Sequence, residues 1–563
     1  MTSKFINFKS LTLLSALVLA TSGCTNMDAS KTCSDVNKKQ NCNIAMADLS
    51  IIPQPISVVA QKGFFMLDAS TQVKIDKSLY DGAKFFVELV SNSGFTPSVT
   101  TSCTKVVDNS IVFKKNDSLG KEAYTINVTP KNIVVESGSA KGAFYAVQSL
   151  RQMLPVSLEK EVLNISAIKI PAVTIKDQPR FKWRGMMLDS SRHFSEVRDI
   201  KKLIDLMALY KMNTFHWHLT DDQGWRLAIE KYPLLTEKGA YRKDTLLSHN
   251  RTLRKKSANW AGKHYGNFYS KDEAKDIVKY AADRFITIIP EIDMPGHAVA
   301  AVHAYPWLSC EGTPKDVWTR WGISDDIYCV GKESTFKFVE DVLTEVMDIF
   351  PSKIIHIGGD EAKKNKWKKC QLCQKRIKDN NLKNEHELQS YFIKRVNKFV
   401  KSKGREIIGW DEILEGGLAP GAMVMSWRGM NPGIKAAKMG HKVVMSPGSH
   451  CYFDHYQSKN HKQEPLAIGG FTTVAKVYQF NPTAGLNKEE AKLIKGGQAN
   501  VWHEYIRDQK HREYMIFPRL LALSETVWTP IEKKNYNNFT KRLEKHYKRL
   551  EKLDVNYRRH DKK

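Results

Sequence analysis

Two carboxylates stand side by side in this chain, Asp360 and Glu361, directly after His356-Ile-Gly-Gly. When adjacent carboxyl groups share a buried pocket, repulsion and burial separate their pKa values, leaving one a proton donor and the other charged. A regular strand would send neighbouring side chains to opposite faces, so a bent strand end is needed to aim both into one pocket. Gly358 and Gly359 supply that bend and let a substrate come close. Taken alone, Gly-Gly-Asp-Glu is a weak motif. Its weight depends on the elements that position it.

Those elements are short apolar runs at 185–188, 214–219, 285–290, 353–357, 406–409, 423–426, 442–445 and 498–501. Amphipathic stretches lie between several of them. One carries Ile200, Leu203, Ile204 and Met207 on a face, with Ser195 placed to cap it. Another opens with the capping-box pattern Ser270-Lys-Asp-Glu273 before Ile277, Val278 and Ala281. Two more carry Val339, Val342, Leu343, Val346, Met347 and Phe350, and then Leu388, Tyr391, Phe392 and Phe399. Eight apolar strands alternating with helices predict an α/β chain folded as a (β/α)8 TIM barrel, whose catalytic groups follow the strands. The residues after the runs are Asp189 and Arg192; Asp221 and Asp222; Glu291, Asp293 and His297; Asp360 and Glu361; Trp410, Asp411 and Glu412; Trp427 and Arg428; Tyr452 and Asp454; Trp502 and Glu504. A barrel with no chemistry to do has little reason to load one rim this way.

The rest of the 563 residues frames that barrel. Hydrophobic content of 42% and charge of 26% are those of an ordinary globular protein. Twelve tryptophans hint at carbohydrate, which binds to flat aromatic faces. Residues 49–176 read as a small α+β accessory domain: strands at Ile111-Val112-Phe113 and Tyr124–Val128, and a helix over 140–154 with Ala143, Val147, Leu150 and Leu154 on one face. The barrel is expected over 177–540. The tail 541–563, with ten Lys/Arg against four Asp/Glu, reads as a solvated basic helix.

Residues 1–23 have the form of an export signal, with Lys4 and Lys9 before an apolar stretch too short to span a bilayer. Thr21-Ser22-Gly23-Cys24 resembles the lipobox of bacterial lipoproteins, although Thr21 stands where leucine is usual. That resemblance makes Cys24 the lipidated first mature residue and 24–48 a polar tether. Thr25, in place of an aspartate, favours the outer membrane. No other segment could cross a membrane. The formal charge of +27 falls to +25 without Lys4 and Lys9, but the lysines are dispersed and no nucleic-acid-binding motif accompanies them. Nine cysteines less Cys24 leave eight, and an even count in an exported chain permits disulfides. Cys33 with Cys42 and Cys310 with Cys329 each close a short polar loop. Cys370-Gln-Leu-Cys373 has the form of a redox pair or half a zinc site. It lacks a matching second pair, so a structural disulfide or two idle thiols is expected.

The chain resembles the family 20 glycoside hydrolases, the β-N-acetylhexosaminidases and chitobiases. The resemblance runs through Asp189-Ser-Ser-Arg192-His193-Phe194, His216-Trp-His-Leu-Thr-Asp221-Asp222-Gln-Gly-Trp225-Arg226, Pro290-Glu-Ile-Asp-Met-Pro-Gly296-His297, His356-Ile-Gly-Gly-Asp360-Glu361, Gly409-Trp410-Asp-Glu412, Ser426-Trp427-Arg428-Gly429 and Trp502-His-Glu504. Pro53-Gln-Pro55 and Gly142-Ala-Phe-Tyr extend it into the accessory domain. It implies substrate-assisted retention, in which the sugar's own 2-acetamido oxygen attacks the anomeric carbon. Glu361 would be the acid and then the base, and Asp360 the partner of the acetamido N–H. Arg192 would grip the 3- and 4-hydroxyls. Trp410, Trp427 and Trp502 would wall the acetamido methyl and the ring, and Tyr452 would bond the acetamido oxygen. Asp454 and Glu504 would hold ring hydroxyls, with His297, Asp221 and His356 in support. No cofactor and no metal is implied. Trp183 and Trp225 are expected in the core, His193 as structural, and Asp411 and Glu412 as rim ion pairs. The loop Tyr452-Phe-Asp-His-Tyr departs from the family through Cys451 and a lysine- and histidine-rich insertion to His461.

Two other readings compete. His216-x-His218 at a strand end is how metal-dependent amidohydrolases begin their metal site, yet no later histidine pair or bridging lysine completes it. A non-catalytic glycan-binding lipoprotein would be favoured had Asp360 or Glu361 been replaced. An endo-acting chitinase would carry an Asp-x-x-Asp-x-Asp-x-Glu strand motif, which the chain lacks.

Overall fold

A computed structural model describes residues 49–560, apart from 102, 103 and 161. The export signal, the tether, Cys24 and the Cys33–Cys42 pair lie outside the described residues. No described helix is long and apolar enough to cross a membrane.

Seven strands form the accessory sheet: β1 (Ser57–Asp68), β2 (Gln72–Ile75), β3 (Ser98–Thr100), β4 (Ser110–Lys115), β5 (Tyr124–Val128), β6 (Asn132–Ser137) and β7 (Ala167–Asp177). Their order is β1-β7-β5-β6-β4-β2-β3. The helices Tyr80–Ser91 and Ala140–Met153 pack on it, the second burying Ala143, Val147 and Leu150.

The barrel closes through eight parallel strands: β8 (Trp183–Asp189), β9 (Thr214–His218), β14 (Thr287–Glu291), β15 (Ile354–His356), β16 (Glu406–Trp410), β17 (Met423–Ser426), β18 (Val443–Met445) and β21 (Ile494–Val501). Each of the eight apolar runs falls on one of them. Helices cover the outside and side chains fill the inside, so β8, β9, β17 and β18 are buried at every position. Between β9 and β14 lie two small hairpins, β10 (Thr220–Asp221) with β11 (Gly224–Trp225), and β12 (Tyr241–Arg242) with β13 (Tyr265–Gly266). The remaining pair, β19 (His455–Tyr456) and β20 (Gly469–Phe471), brackets the insertion before β21.

Register sets up the site. Asp189 stands opposite His218, His218 opposite Glu291, and Glu291 opposite His356. The polar ends of four neighbouring strands thus form one layer, and the loops that follow the strands rise from it.

Three expectations are corrected. Ser195 does not cap its helix, which runs Val197–Leu209 with Glu196 at the cap; Ser195 is buried and its carbonyl accepts from the Tyr269 hydroxyl. The C-terminal helix spans Tyr536–Lys552 and is not a solvated face. It buries Phe539, Leu543 and Leu550 along with Arg542 and Arg549, whose charges are answered by Glu525 and Glu159. Nor is there a Cys310–Cys329 disulfide, for both thiols are free, as are those of Cys370 and Cys373.

Candidate active site

Past the end of β15 the chain turns sharply. Gly358 (φ +64°) and Gly359 (φ +97°) take left-handed backbone, and Glu361 does too at +46°. A Cβ on Gly358 would sit 1.7 Å from Asp293 Oδ1, so only glycine fits. This turn delivers Asp360 and Glu361 into one cavity of about 370 Å³. Arg192, Trp410, Trp427, Tyr452, Asp454, Trp502, Glu504 and His297 line it with them. Its volume lies at the small end of the range for ligand sites, roughly 300–1,000 Å³.

The two carboxylates differ in setting. Asp360 is buried, and burial with the nearby Asp293 pushes its pKa well above the usual carboxylate range, against the pull of His297. The Glu361 side chain is one-third exposed, at 33%. His297, itself at φ +47°, ties them together. Its Nε2 lies 3.5 Å from Glu361 Oε2 and 3.7 Å from Asp360 Oδ2, and its Nδ1 lies 3.0 Å from Asp221 Oδ1. Burial works against a charge on His297, but Asp221 and its neighbours hold its pKa well above normal, which favours the charged ring.

Asp221 is a hub. Its Oδ2 meets His218 Nε2 at 2.9 Å and an Arg192 guanidinium nitrogen at 2.7 Å. Burial disfavours its charge, yet Arg192 and His297 hold its pKa below normal. Arg192 also donates to Asp189 Oδ2 at 3.2 Å and to Gln223 Oε1 at 2.9 Å, and it lies over the Trp502 ring at 5.0 Å. One floor down, Glu291 accepts from Trp410 Nε1 at 2.8 Å and lies within 3.1 Å of a ring nitrogen of His216, His218 and His356. Burial opposes protonation of His218, but Glu291 and Asp221 on either side push its pKa up to about 10. His216 and His218 therefore flank a carboxylate below Trp410 and do not line the cavity.

Aromatic rings form the walls. Trp410 and Trp502 stand 5.7 Å apart, and Trp427 is stacked on Tyr452 at 6.1 Å. Trp427 is fixed by its indole N–H to Glu412 and its backbone N–H to Asp411, both of which also pair with Arg428 on the rim. Three acceptors on residues that line the cavity have no protein partner: Asp360 Oδ1, Asp454 Oδ1 and Glu504 Oε2. Buried acceptors left unpaired cost free energy, so they mark where a ligand's donors belong.

Of the residues singled out from sequence, Asp221 and His356 lie in the supporting layers instead of the cavity wall. His356 packs edge-on against Trp410 at 4.8 Å. His193 is structural, its ring nitrogen bonded to the His503 carbonyl, and Trp183 and Trp225 are core. Sequence reasoning passed over the roles of Glu291 and Gln223, and it missed His455, Ile468, Gly469 and Gly470, which line the cavity from the β19–β20 pair. Strand register signals Glu291; nothing in the insertion's composition points to the rest.

A (β/α)8 barrel that presents a buried carboxylate beside a more exposed one, in a tryptophan-walled cavity at its strand ends, has the layout a glycoside hydrolase needs. The pattern of the glycosyl hydrolase family 20 catalytic domain matches residues 181–531, and that of the family's domain 2 matches residues 48–178. The chain belongs to glycosyl hydrolase family 20. It is 44% identical over 516 residues to a β-hexosaminidase of Porphyromonas gingivalis, spanning 90% of this chain and 64% of that relative. A solved family 20 exo-β-N-acetylglucosaminidase from Vibrio harveyi, in complex with N-acetylglucosamine, is 31% identical with a TM-score of 0.79 over 91% of this chain and 78% of its own. The β-N-acetylhexosaminidase structure from Bacteroides fragilis is 32% identical with a TM-score of 0.76, over 90% and 96%.

Proposed function

We propose that this chain is an exo-acting β-N-acetylhexosaminidase, removing terminal non-reducing β-linked N-acetylglucosamine, and N-acetylgalactosamine where the 4-hydroxyl is tolerated, from chitooligosaccharides or glycans. The observation that carries it is the convergence of Asp360, Glu361 and the unpaired acceptors of Asp454 and Glu504 in one small cavity walled by Trp410, Trp427 and Trp502. The substrate's acetamido oxygen attacks its own anomeric carbon as Glu361 protonates the departing glycosidic oxygen. This forms a cyclic oxazolinium, with the configuration inverted once. Glu361, now ionised, takes a proton from water as it opens the ring, inverting the centre again. Asp360 accepts from the acetamido N–H and offsets the positive charge that develops there. Arg192, locked by Asp189, Gln223 and Asp221, offers a rigid fork to the sugar hydroxyls.

The test is substrate choice. Aryl N-acetylglucosaminide and chitobiose should be cleaved, and the matching aryl glucoside, which lacks the acetamido nucleophile, should be nearly inert. Comparable rates on both aryl sugars, or a sugar ester trapped on Asp360, would sink the scheme.

The same reading places the enzyme outside the cytoplasm, as a lipoprotein anchored through Cys24 to the outer membrane, with Cys33 and Cys42 paired in its tether. The signal-like segment before Cys24 supports it. Cys24→Ala is expected to release soluble, active protein; unchanged membrane association would reject the anchor.

A further inference from the structure

Away from the cavity, four cysteines converge. Cys310 and Cys329 each follow one partner of the bridge that joins Ser309 to Tyr328, and Cys370 and Cys373 lie at the start of the helix Gln371–Asp379. Sulfur–sulfur distances are 3.7 Å for Cys310 to Cys373, for Cys329 to Cys370 and for Cys329 to Cys373. All four sulfurs lie within 4.8 Å of one another. A disulfide brings sulfurs to about 2.0 Å. Four thiolates bound to one zinc ion at about 2.3 Å occupy a tetrahedron whose edges are about 3.8 Å. We propose that Cys310, Cys329, Cys370 and Cys373 form a structural zinc site.

The ligand set decides both the metal and its role. Four soft thiolates in tetrahedral array favour zinc, with iron the alternative, over the oxygen-seeking cations, and a closed set of four leaves no position for a reacting water. The second pair that the Cys370-x-x-Cys373 motif lacks in sequence is supplied from about 40 residues upstream, by Cys329 and, beyond it, Cys310. The fold is built tightly here, for a Cβ on Gly331 would lie 2.4 Å from the Leu372 backbone. Four thiolates and Zn²⁺ carry a net charge of about −2. The 363–378 run that holds two of the ligands has no Asp or Glu among its lysines, which suits it to that charge.

The site joins two parts of the catalytic apparatus. The loop between Cys310 and Cys329 receives the Gln223 amide on its Arg320 carbonyl at 2.9 Å and donates from Trp318 N to the Asp222 carbonyl at 3.1 Å. Gln223 in turn holds Arg192. On the other side, Cys370 follows Glu361 by nine positions (370 − 361). Trp367 between them donates to the Tyr328 carbonyl at 2.8 Å. The ion fastens the loop that backs the sugar-gripping arginine to the segment that leaves the acid.

Elemental analysis of the full chain, purified without chelator, is expected to find one zinc per chain. Cys370→Ser with Cys373→Ser is expected to lose it and to melt at a lower temperature. A second measurement needs no variant. Titrating the wild-type protein with a mercurial should release zinc to a chromogenic indicator as four thiolates are capped, and growth on cobalt should give the visible bands of a tetrahedral cobalt thiolate. The assignment is overturned by iron in place of zinc, by zinc retained in the double variant, or by metal-free protein. In the last case the cysteines would be four freely alkylated thiols or the disulfides Cys310–Cys373 and Cys329–Cys370.

Discussion

Asp360 and Glu361 are neighbours in sequence, yet each is given a different environment, and two predictions follow from that difference. Asp360 orients the nucleophile and offsets charge without bonding to carbon. Asp360→Asn should therefore cost roughly 10²–10³-fold in kcat, or ~3–4 kcal/mol, with a much smaller change in KM. Equal losses in kcat and in substrate affinity would instead make it a general binding residue. The second prediction concerns pH. Asp360 must be ionised to act, so activity falls on the acid side as it takes up a proton. Burial and Asp293 raise its pKa, and the His297 cation lowers it. His297→Gln removes the lowering influence, so the acid limb of kcat/KM should move to higher pH. A limb that stays in place would mean that no charge on His297 faces Asp360.

At the scale of elements, the turn after β15 trades conformational comfort for aim. Gly358→Ala would drive a methyl into Asp293 at a left-handed position. It should destabilise the protein by about 1–3 kcal/mol and lower kcat at least tenfold. Wild-type melting and turnover in that variant would show that the turn has room to spare. This turn was readable in the sequence because the paired glycines and paired acids directly follow one of the apolar strand runs, a position that gives an otherwise weak motif its weight. The eight strands were readable for a related reason. Parallel strands covered on both faces must be apolar throughout, so each stood out as an unbroken run, and the residue types that follow them marked the rim. Ser195 misled because a serine before an apolar face looks like a cap whether or not its side chain is free to turn back; here it is buried behind Tyr269. The cysteine cluster was hidden because its halves meet only through the folding of the loop between β14 and β15. The β19–β20 wall of the cavity carries no composition that differs from an ordinary polar insertion.

Across the whole molecule, the charges that sequence assigns to solvent are often inside. Lys211 is buried against Asp177, Tyr124 and Ser149, and Arg184 reaches Glu122 and Tyr145, so accessory domain and barrel meet through paired charges. Glu525 is the tightest of these junctions. It accepts two bonds of 2.7 Å from Arg542, one of 2.9 Å from the Gln54 amide and one of 2.9 Å from Tyr478. Glu525→Leu would leave Arg542 buried without a counter-charge and should cost about 3–5 kcal/mol, read as a lower thermal midpoint. Adding Arg542→Met should restore part of the loss. A double variant no more stable than the single would mean that the two side chains are not energetically coupled.

That same clasp fixes when the protein can be finished. Arg542 donates to the Ile51 carbonyl and a His546 ring nitrogen lies 2.6 Å from the Ser50 carbonyl, across separations of 491 and 496 residues. The partners are thus among the first described residues to be synthesised and among the last. On the ribosome, the leading edge of the accessory domain must wait through translation of the entire barrel for the helix that holds it. The Ser50 and Ile51 carbonyls gain those partners only then. The accessory edge is therefore completed only once residues 536–552 are available, and a chain stopped before residue 536 leaves a barrel and a sheet without the helix that clasps residues 50 and 51.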